Sequence, residues 1–235
     1  MDSPASFQLR PETRAAIWDM DGTLVDTAEQ HFAAWQDIAR EIGRPFSRED
    51  FVATFGRRNP EIIREVLDPS ASATAIADIG EKKEAAYRAA IQRDGVRLLP
   101  GAQALIEALA RQGWRQAIAS SAPRANLDLI LDLTGVRAAF AAIVSAEDTT
   151  RGKPDPEVFL IAANRLQAPP DRCVVFEDAV AGVAAARAAG MACVAVSSPG
   201  HHSEESLLAA GAQRVVRSLA ELFADDVNAL LVGGS

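Results

Sequence analysis

Ala15-Ala16-Ile17-Trp18-Asp19-Met20-Asp21-Gly22-Thr23 opens with a short apolar run and ends on two acids, a glycine and a threonine. The apolar part reads as a buried strand, and Gly22 permits an abrupt turn directly after it. In extended backbone, residues i and i+2 share a face, so Asp19 and Asp21 point into one space. Two carboxylates at the C-terminal end of a strand suit a divalent cation, or a nucleophile working beside a general acid/base. Taken alone, the same residues also read as a plain turn in which Asp bonds local amides.

Outward from this stretch, short apolar runs recur with helical segments between them. Strands are expected at Ala15–Trp18, Gln116–Ser120, Ala142–Ser145, Cys173–Glu177, Cys193–Val196 and Arg214–Val216. Helices are expected at Ala102–Gln112, Ala125–Leu133, Pro156–Leu166, Ala179–Ala189 and Ser206–Ala210. Such alternation gives an α/β fold, a parallel sheet with helices on both faces. Residues 27–96 break the pattern and read as helical throughout. Phe32, Trp35, Ile38, Ala39 and Ile42 form an apolar stripe, Ser47 and Asp50 resemble a capping box, and Asn59-Pro60 reads as N-cap and first helical residue. A further helix is expected from Ala73 to Gln92, with Ile76, Tyr87 and Ile91 inward and Gly80 as a weak point. The organisation is therefore an α/β core, residues 1–26 and 97–235, with a small helical insert at 27–96.

The composition is that of an ordinary globular protein, 49% hydrophobic and 24% charged over 235 residues. A net charge of −8 with no basic cluster argues against nucleic-acid binding. Met1–Arg14 lacks the apolar segment of a secretory signal, and no run is long enough to span a membrane. Cys173 and Cys193 read as buried free thiols of a reducing compartment. A cytoplasmic monomer without membrane partners is expected. His201-His202 lie in a Ser/Pro/Gly loop without neighbouring ligands and read as solvated.

In open parallel sheets, ligands sit beyond the C-terminal strand ends. Here those ends carry Asp19 and Asp21, then Ser120 and Ser121, then Lys153, then Glu177 and Asp178. Each has an ordinary alternative: the serines and Glu177-Asp178 as helix caps, Lys153 as a loop lysine. Taken together they fit phosphoryl transfer. Mg²⁺ takes carboxylates plus phosphate oxygens, so Asp19 and Asp178, aided by Glu177, would hold it. Lys153 and Ser120 would hold the remaining phosphate oxygens, and a carboxylate nucleophile would form an aspartyl-phosphate.

Trp18–Thr23, the strand ending at Ser120, Gly152-Lys153-Pro154 and Phe176-Glu177-Asp178 resemble the four motifs of the haloacid dehalogenase superfamily of phosphotransferases. Residues 26–43, 152–159 and 176–191 are similar to its β-phosphoglucomutase-like branch. The resemblance implies a Rossmann-like core with a mobile helical cap inserted after the first motif. It also implies Asp19 as nucleophile, Asp21 as general acid/base and Thr23 as support for the loop. Asp19, the backbone carbonyl of Asp21, Glu177 and Asp178 would surround Mg²⁺, and Ser120, Ser121 and Lys153 would bind the phosphoryl group.

Within that branch, a mutase must grip a second phosphate, a task resting on an arginine of a cap loop and on an asparagine after the motif serine. This chain has Asn59 and Arg124 at the matching places, with Arg57 and Arg58 alongside. His31 and Lys83 match cap residues that serve closure and substrate binding. The departure favours hydrolysis of a small sugar or polyol phosphate, with a sugar phosphomutase as the alternative. A phosphate-accepting signalling domain is a further alternative, disfavoured by the long helical insert. No dinucleotide fingerprint, P-loop or Gly-x-Ser-x-Gly elbow occurs in the sequence.

Overall fold

The computed structural model describes residues 9, 10, 12–198 and 202–232, so His201 and most of the N-terminal segment lie outside the described residues. Six strands form at the six places expected: β1 (Ala15–Trp18), β2 (Arg115–Ala119), β3 (Ala142–Val144), β4 (Cys173–Glu177), β5 (Ala192–Val196) and β6 (Arg214–Val216). All pair in parallel, in the order β3-β2-β1-β4-β5-β6. The insert holds α1 (Ala28–Glu41), α2 (Arg48–Thr54), α3 (Asn59–Ile62) with a π-helical turn after it, and α4 (Ala73–Asp94). The core adds α5 (Ala102–Arg111), α6 (Arg124–Thr134), α7 (Glu157–Leu166), α8 (Val180–Ala188), α9 (Glu204–Ala210) and α10 (Ala224–Val232). No helix among the described residues is long and apolar enough to cross a membrane.

Helices cover both faces of the sheet, which is why β1 is apolar without alternation and fully buried along its length. Ala16 and Trp18 pack with Leu105, Ile106, Leu127 and Ile130 on one side, and Ala15 and Ile17 with Phe159, Ala162 and Val183 on the other. Trp18 stacks on Phe176 of β4 at 3.9 Å, and its buried Nε1 donates to Gln116 Oε1 of β2 at 3.0 Å. These contacts fix the register. Trp18 lies level with Ile118 and with Phe176, so Asp19, Ser120 and Glu177-Asp178 leave neighbouring strands side by side. The chain runs outward from β1 to β3 and then crosses to β4, which makes the β1/β4 boundary the switch point where ligands bind.

The insert has an apolar cluster of its own, including Trp35, Phe46, Phe51, Phe55, Ile63 and Leu67. Ser47 and Asp50 do form a capping box at the start of α2. Two details differ from the sequence reading. Ile42 is 36% exposed, because α1 ends at Glu41 and Ile42 is already the capping residue. Arg58, not Asn59, precedes α3, and the Asn59 amide is used elsewhere. The two connections between insert and core lie together: Val25 bridges Leu98 in antiparallel fashion, and the Leu99 N–H donates to Leu24 O at 2.8 Å. Cys173 and Cys193 are both free and buried, and burial pushes the Cys173 thiol up to about 12.

Candidate active site

Lys153 sits in the loop between β3 and α7 with its side chain 1% exposed. Its Nζ donates to Asp19 Oδ1 at 2.6 Å, to Glu177 Oε1 at 2.5 Å and to Ala119 O at 3.5 Å. An ammonium has three protons, and all three have oxygen partners here. Burial works against its charge, but Asp19 and Glu177 more than offset this and hold Lys153 above its ordinary pKa. Glu177 is oriented in turn by its other oxygen, which accepts the N–H groups of Asp178 at 2.9 Å and Ala179 at 3.0 Å. Its carboxylate thus caps the entry to α8 and faces the site together. Helix α8 reaches it closely only because Gly182 has no side chain; a Cβ there would lie 1.8 Å from Glu177 Oε1.

Asp178 accepts from Thr23 Oγ1 at 3.2 Å, while its Oδ2 is buried without a partner. Gly22, at φ +87°, brings the turn after Asp21 against this carboxylate; a Cβ would sit 2.1 Å from Asp178 Oδ2. Asp19, Glu177 and Asp178 each offer an oxygen within 4.8 Å of the others. Three buried carboxylates facing one ammonium carry an excess of negative charge. Burial, together with its acidic neighbours, pushes Asp19 up to about 7 despite Lys153, and burial with Glu177 and Asp19 holds Asp178 well above the carboxylate range. An all-oxygen donor set, an unpartnered buried oxygen and unbalanced negative charge fit a hard divalent cation.

The side chain of Asp21 is not part of that cluster; it turns toward the insert. Its Oδ1 accepts from Thr27 Oγ1 at 2.5 Å and from the Tyr87 hydroxyl at 3.0 Å, and lies 3.2 Å from His31 Nε2. His31 Nδ1 lies 2.8 Å from Lys83 Nζ; a lysine only donates, so Nδ1 accepts and Nε2 is left to donate to Asp21. Burial alone would raise the Asp21 pKa, but His31 and the hydrogen bonds from His31, Thr27 and Tyr87 hold it at about 2. The chain of contacts continues. Lys83 donates to Glu84 Oε1 at 2.8 Å, Asn59 Nδ2 to the same oxygen at 2.7 Å, and Asn126 Nδ2 of α6 to Glu84 Oε2 at 2.5 Å. Burial opposes the charge on Glu84, yet Lys83, His31 and Asn59 hold it at about 2.

Between these two constellations lies a partly open cavity of about 50 Å³, bordered among others by Asp19, Asp21, Lys83, Ser120 and Ser121. Ser120 is buried, and its Oγ accepts from the Ala122 N–H at 3.1 Å. Neither serine caps α6, whose N-cap is Pro123 and whose first N–H, of Arg124, donates to the Glu147 carboxylate at 3.0 Å. Thr23 supports Asp178 rather than facing the cavity. Three arginines expected near the substrate have protein partners of their own. Arg58 donates to the carbonyls of Thr149 at 3.3 Å and Ala146 at 3.0 Å, tying insert to core. Arg124 pairs with Asp128 one turn on, at 3.1 Å, and does not line the cavity. Arg57 does line it, but its guanidinium is held by Glu65 at 2.8 Å and Glu61 at 3.5 Å.

The sequence reading missed Glu84, Asn126, Thr27 and the hydroxyl of Tyr87. A signal existed for Glu84. On α4 the buried positions run Ile76, Gly80, Lys83, Glu84, Tyr87 and Ile91, so an adjacent lysine and glutamate occupy the apolar stripe.

A family model described as haloacid dehalogenase-like hydrolase matches residues 13–190. The β-phosphoglucomutase of Bacillus subtilis is 34% identical, over 89% of this chain and 91% of that protein. The fructose-1-phosphate phosphatase of Escherichia coli is 32% identical, over 77% of this chain and 94% of that protein. Among solved structures, a β-phosphoglucomutase from Clostridium difficile superposes with a TM-score of 0.83 at 26% identity, covering 94% of this chain and 97% of its own.

Proposed function

We infer that this chain, which belongs to the haloacid dehalogenase-like hydrolase family, is a Mg²⁺-dependent phosphatase of small sugar or polyol phosphates that works through an aspartyl-phosphate. Its relatives include both phosphatases and phosphomutases, so an enzyme of one of these two kinds is established; the reaction and the substrate class are the proposal. The observation that carries it is the bridge of Lys153 between Asp19 and Glu177 at the switch point of the sheet. We read residues 27–96 as a cap that closes over this point.

In the first step a carboxylate oxygen of Asp19 attacks phosphorus, a P–O bond forms, and the bond to the leaving oxygen breaks. Asp21 gives that oxygen a proton. In the second step Asp21 takes a proton from water, whose oxygen attacks phosphorus and releases inorganic phosphate with Asp19 restored. Lys153 and the Ser120 hydroxyl balance the charge on the phosphoryl oxygens. Asp19, Glu177 and Asp178 would hold Mg²⁺, which supplies further positive charge at the phosphoryl group. In the arrangement described, the Asp21 pKa is held at about 2, which suits the base of the second step; the first step draws on the proton that Asp21 takes from water in the preceding turnover.

Hydrolysis is favoured over mutation because the cavity has no cation to spare for a second phosphate. Among the described lining residues, Arg57 is paired with Glu65 and Lys83 with Glu84; Lys153, behind the lining, is paired with Asp19 and Glu177. The resemblance to β-phosphoglucomutases keeps the mutase as second reading. Phosphate release from a panel of esters with Mg²⁺, run beside β-glucose 1-phosphate with a bisphosphate primer, separates the two. Isomerisation faster than phosphate release would overturn the phosphatase.

A further inference from the structure

Lys153 stands on a loop, residues 145–156, between β3 and α7, so the register of the sheet does not by itself set its place. The core holds this loop at two points. Ser145 and Asp148 form a capping box at its start, and Asp148 pairs with Arg165 of α7. Glu157 of α7 accepts the N–H groups of Thr150 at 2.9 Å and Arg151 at 2.8 Å. A third hold comes from the insert. Arg58, directly before α3, donates through Nη1 to Thr149 O at 3.3 Å and through Nη2 to Ala146 O at 3.0 Å.

Gly152 is an independent sign of the same contact. Its φ is not positive, so the backbone conformation does not call for glycine. A Cβ there would lie 2.4 Å from Glu61 Oε1 and 2.8 Å from Arg58 Cδ. The insert thus presses on the residue immediately before Lys153, and the missing side chain leaves room for it. Arg58 does not line the inner cavity. It does border an outer groove between insert and core, so contact with an anionic substrate is the competing account.

We propose that Arg58 is a positioning residue, acting on phosphoryl transfer through the loop of Lys153 and without touching the substrate. Its guanidinium pins two carbonyls of the loop from the side of the insert, as Glu157 pins two N–H groups from the side of the core. The ammonium is thereby kept within 2.6 Å of both Asp19 and Glu177, contacts too short to tolerate a shifted loop. The role rests on the phosphatase reading above, because that reading assigns Lys153 to the phosphoryl group.

The test is a double-mutant cycle on phosphate release in millimolar Mg²⁺, with Arg58→Ala made in the wild type and in Lys153→Met. The ester is the one that the wild type turns over fastest. In the wild type, Arg58→Ala is expected to lower kcat about tenfold with KM nearly unchanged. In Lys153→Met it is expected to change kcat by less than about twofold, because the lysine it positions is gone. Arg58→Lys, which keeps a donor for the loop carbonyls, is expected to recover part of the loss. No loss, a loss carried by KM, or a tenfold loss that persists in Lys153→Met would overturn the role. Should the wild type turn over no ester, that failure belongs to the proposed activity. In that case, or if Lys153→Met does not fold, amide hydrogen exchange of the wild type and Arg58→Ala decides. Faster exchange confined to residues 146–153 supports the role, and unchanged exchange there, or a rise spread evenly over the core, overturns it.

Discussion

Lys153→Met keeps the length and apolar bulk of the side chain and deletes its charge. In the native site the ammonium lies 2.6 Å from Asp19 and 2.5 Å from Glu177, out of reach of water. Its loss leaves Asp19, Glu177 and Asp178 buried together without a cationic partner. Removing one side of a buried ion pair costs about 3–5 kcal/mol. An ordinary domain holds roughly 5–15 kcal/mol, so the variant is expected to fold and to be fragile. Losing one donor to the transition-state charge costs a further factor of about 10²–10³ in kcat. Urea unfolding at mildly alkaline pH, in EDTA and in millimolar Mg²⁺, measures the first effect, and phosphate release by the same preparation the second. Mg²⁺ is expected to restore part of the stability, and to help the variant more than the wild type, because it brings charge to the same three oxygens. A variant as stable as the wild type in EDTA, or an equal gain from Mg²⁺ in both proteins, would refute the reasoning.

Asp19→Asn removes the proposed nucleophile while keeping its shape, and turnover is expected to fall to background; appreciable residual phosphate release would remove Asp19 from that role. Tyr87→Phe deletes a donor 3.0 Å from Asp21, so the Asp21 pKa should rise from about 2 toward the ordinary value. The acidic limb of the kcat/KM profile would then move to higher pH, and an unmoved limb contradicts the assignment. Glu84 is held at about 2 in the folded protein, below its unfolded value near 4.5. A depressed carboxylate contributes stability that is complete above the unfolded pKa and is lost as pH falls through the folded one, here about 3 kcal/mol. Wild-type stability should therefore drop more steeply than that of Glu84→Gln between pH ~5 and pH ~2.5, and parallel urea curves would count against it.

The sheet was legible because its strands are short apolar runs that stop against chemistry-bearing residues. β1, β4 and β6 form over the residues read from sequence, while β2 ends one residue early at Ala119. The insert was legible from helical spacing. Its finer features were not: Ile42 fits the stripe of α1 in period, but the helix ends before it. At the site, the acids on the ends of β1 and β4 were readable because the sheet register brings them together, whereas Lys153 reaches them from the loop between β3 and α7. Asn59, Arg58 and Arg124 were harder, since each answers to a partner far along the chain or to a carboxylate on a neighbouring turn. The Glu84–Asn126 contact joins α4 to α6 across 42 residues, and only the docking of the insert on the core creates it.

The paired connectors have a consequence for proton traffic. Val25 and Leu98 pair through a single antiparallel bridge, and Asp21 stands on the core side of it. Thr27, His31 and Tyr87, which hold Asp21 ionised, all stand on the other side. Every group that holds the Asp21 pKa down is thus supplied by the insert, so the charge of a core acid is set by the docking of residues 27–96.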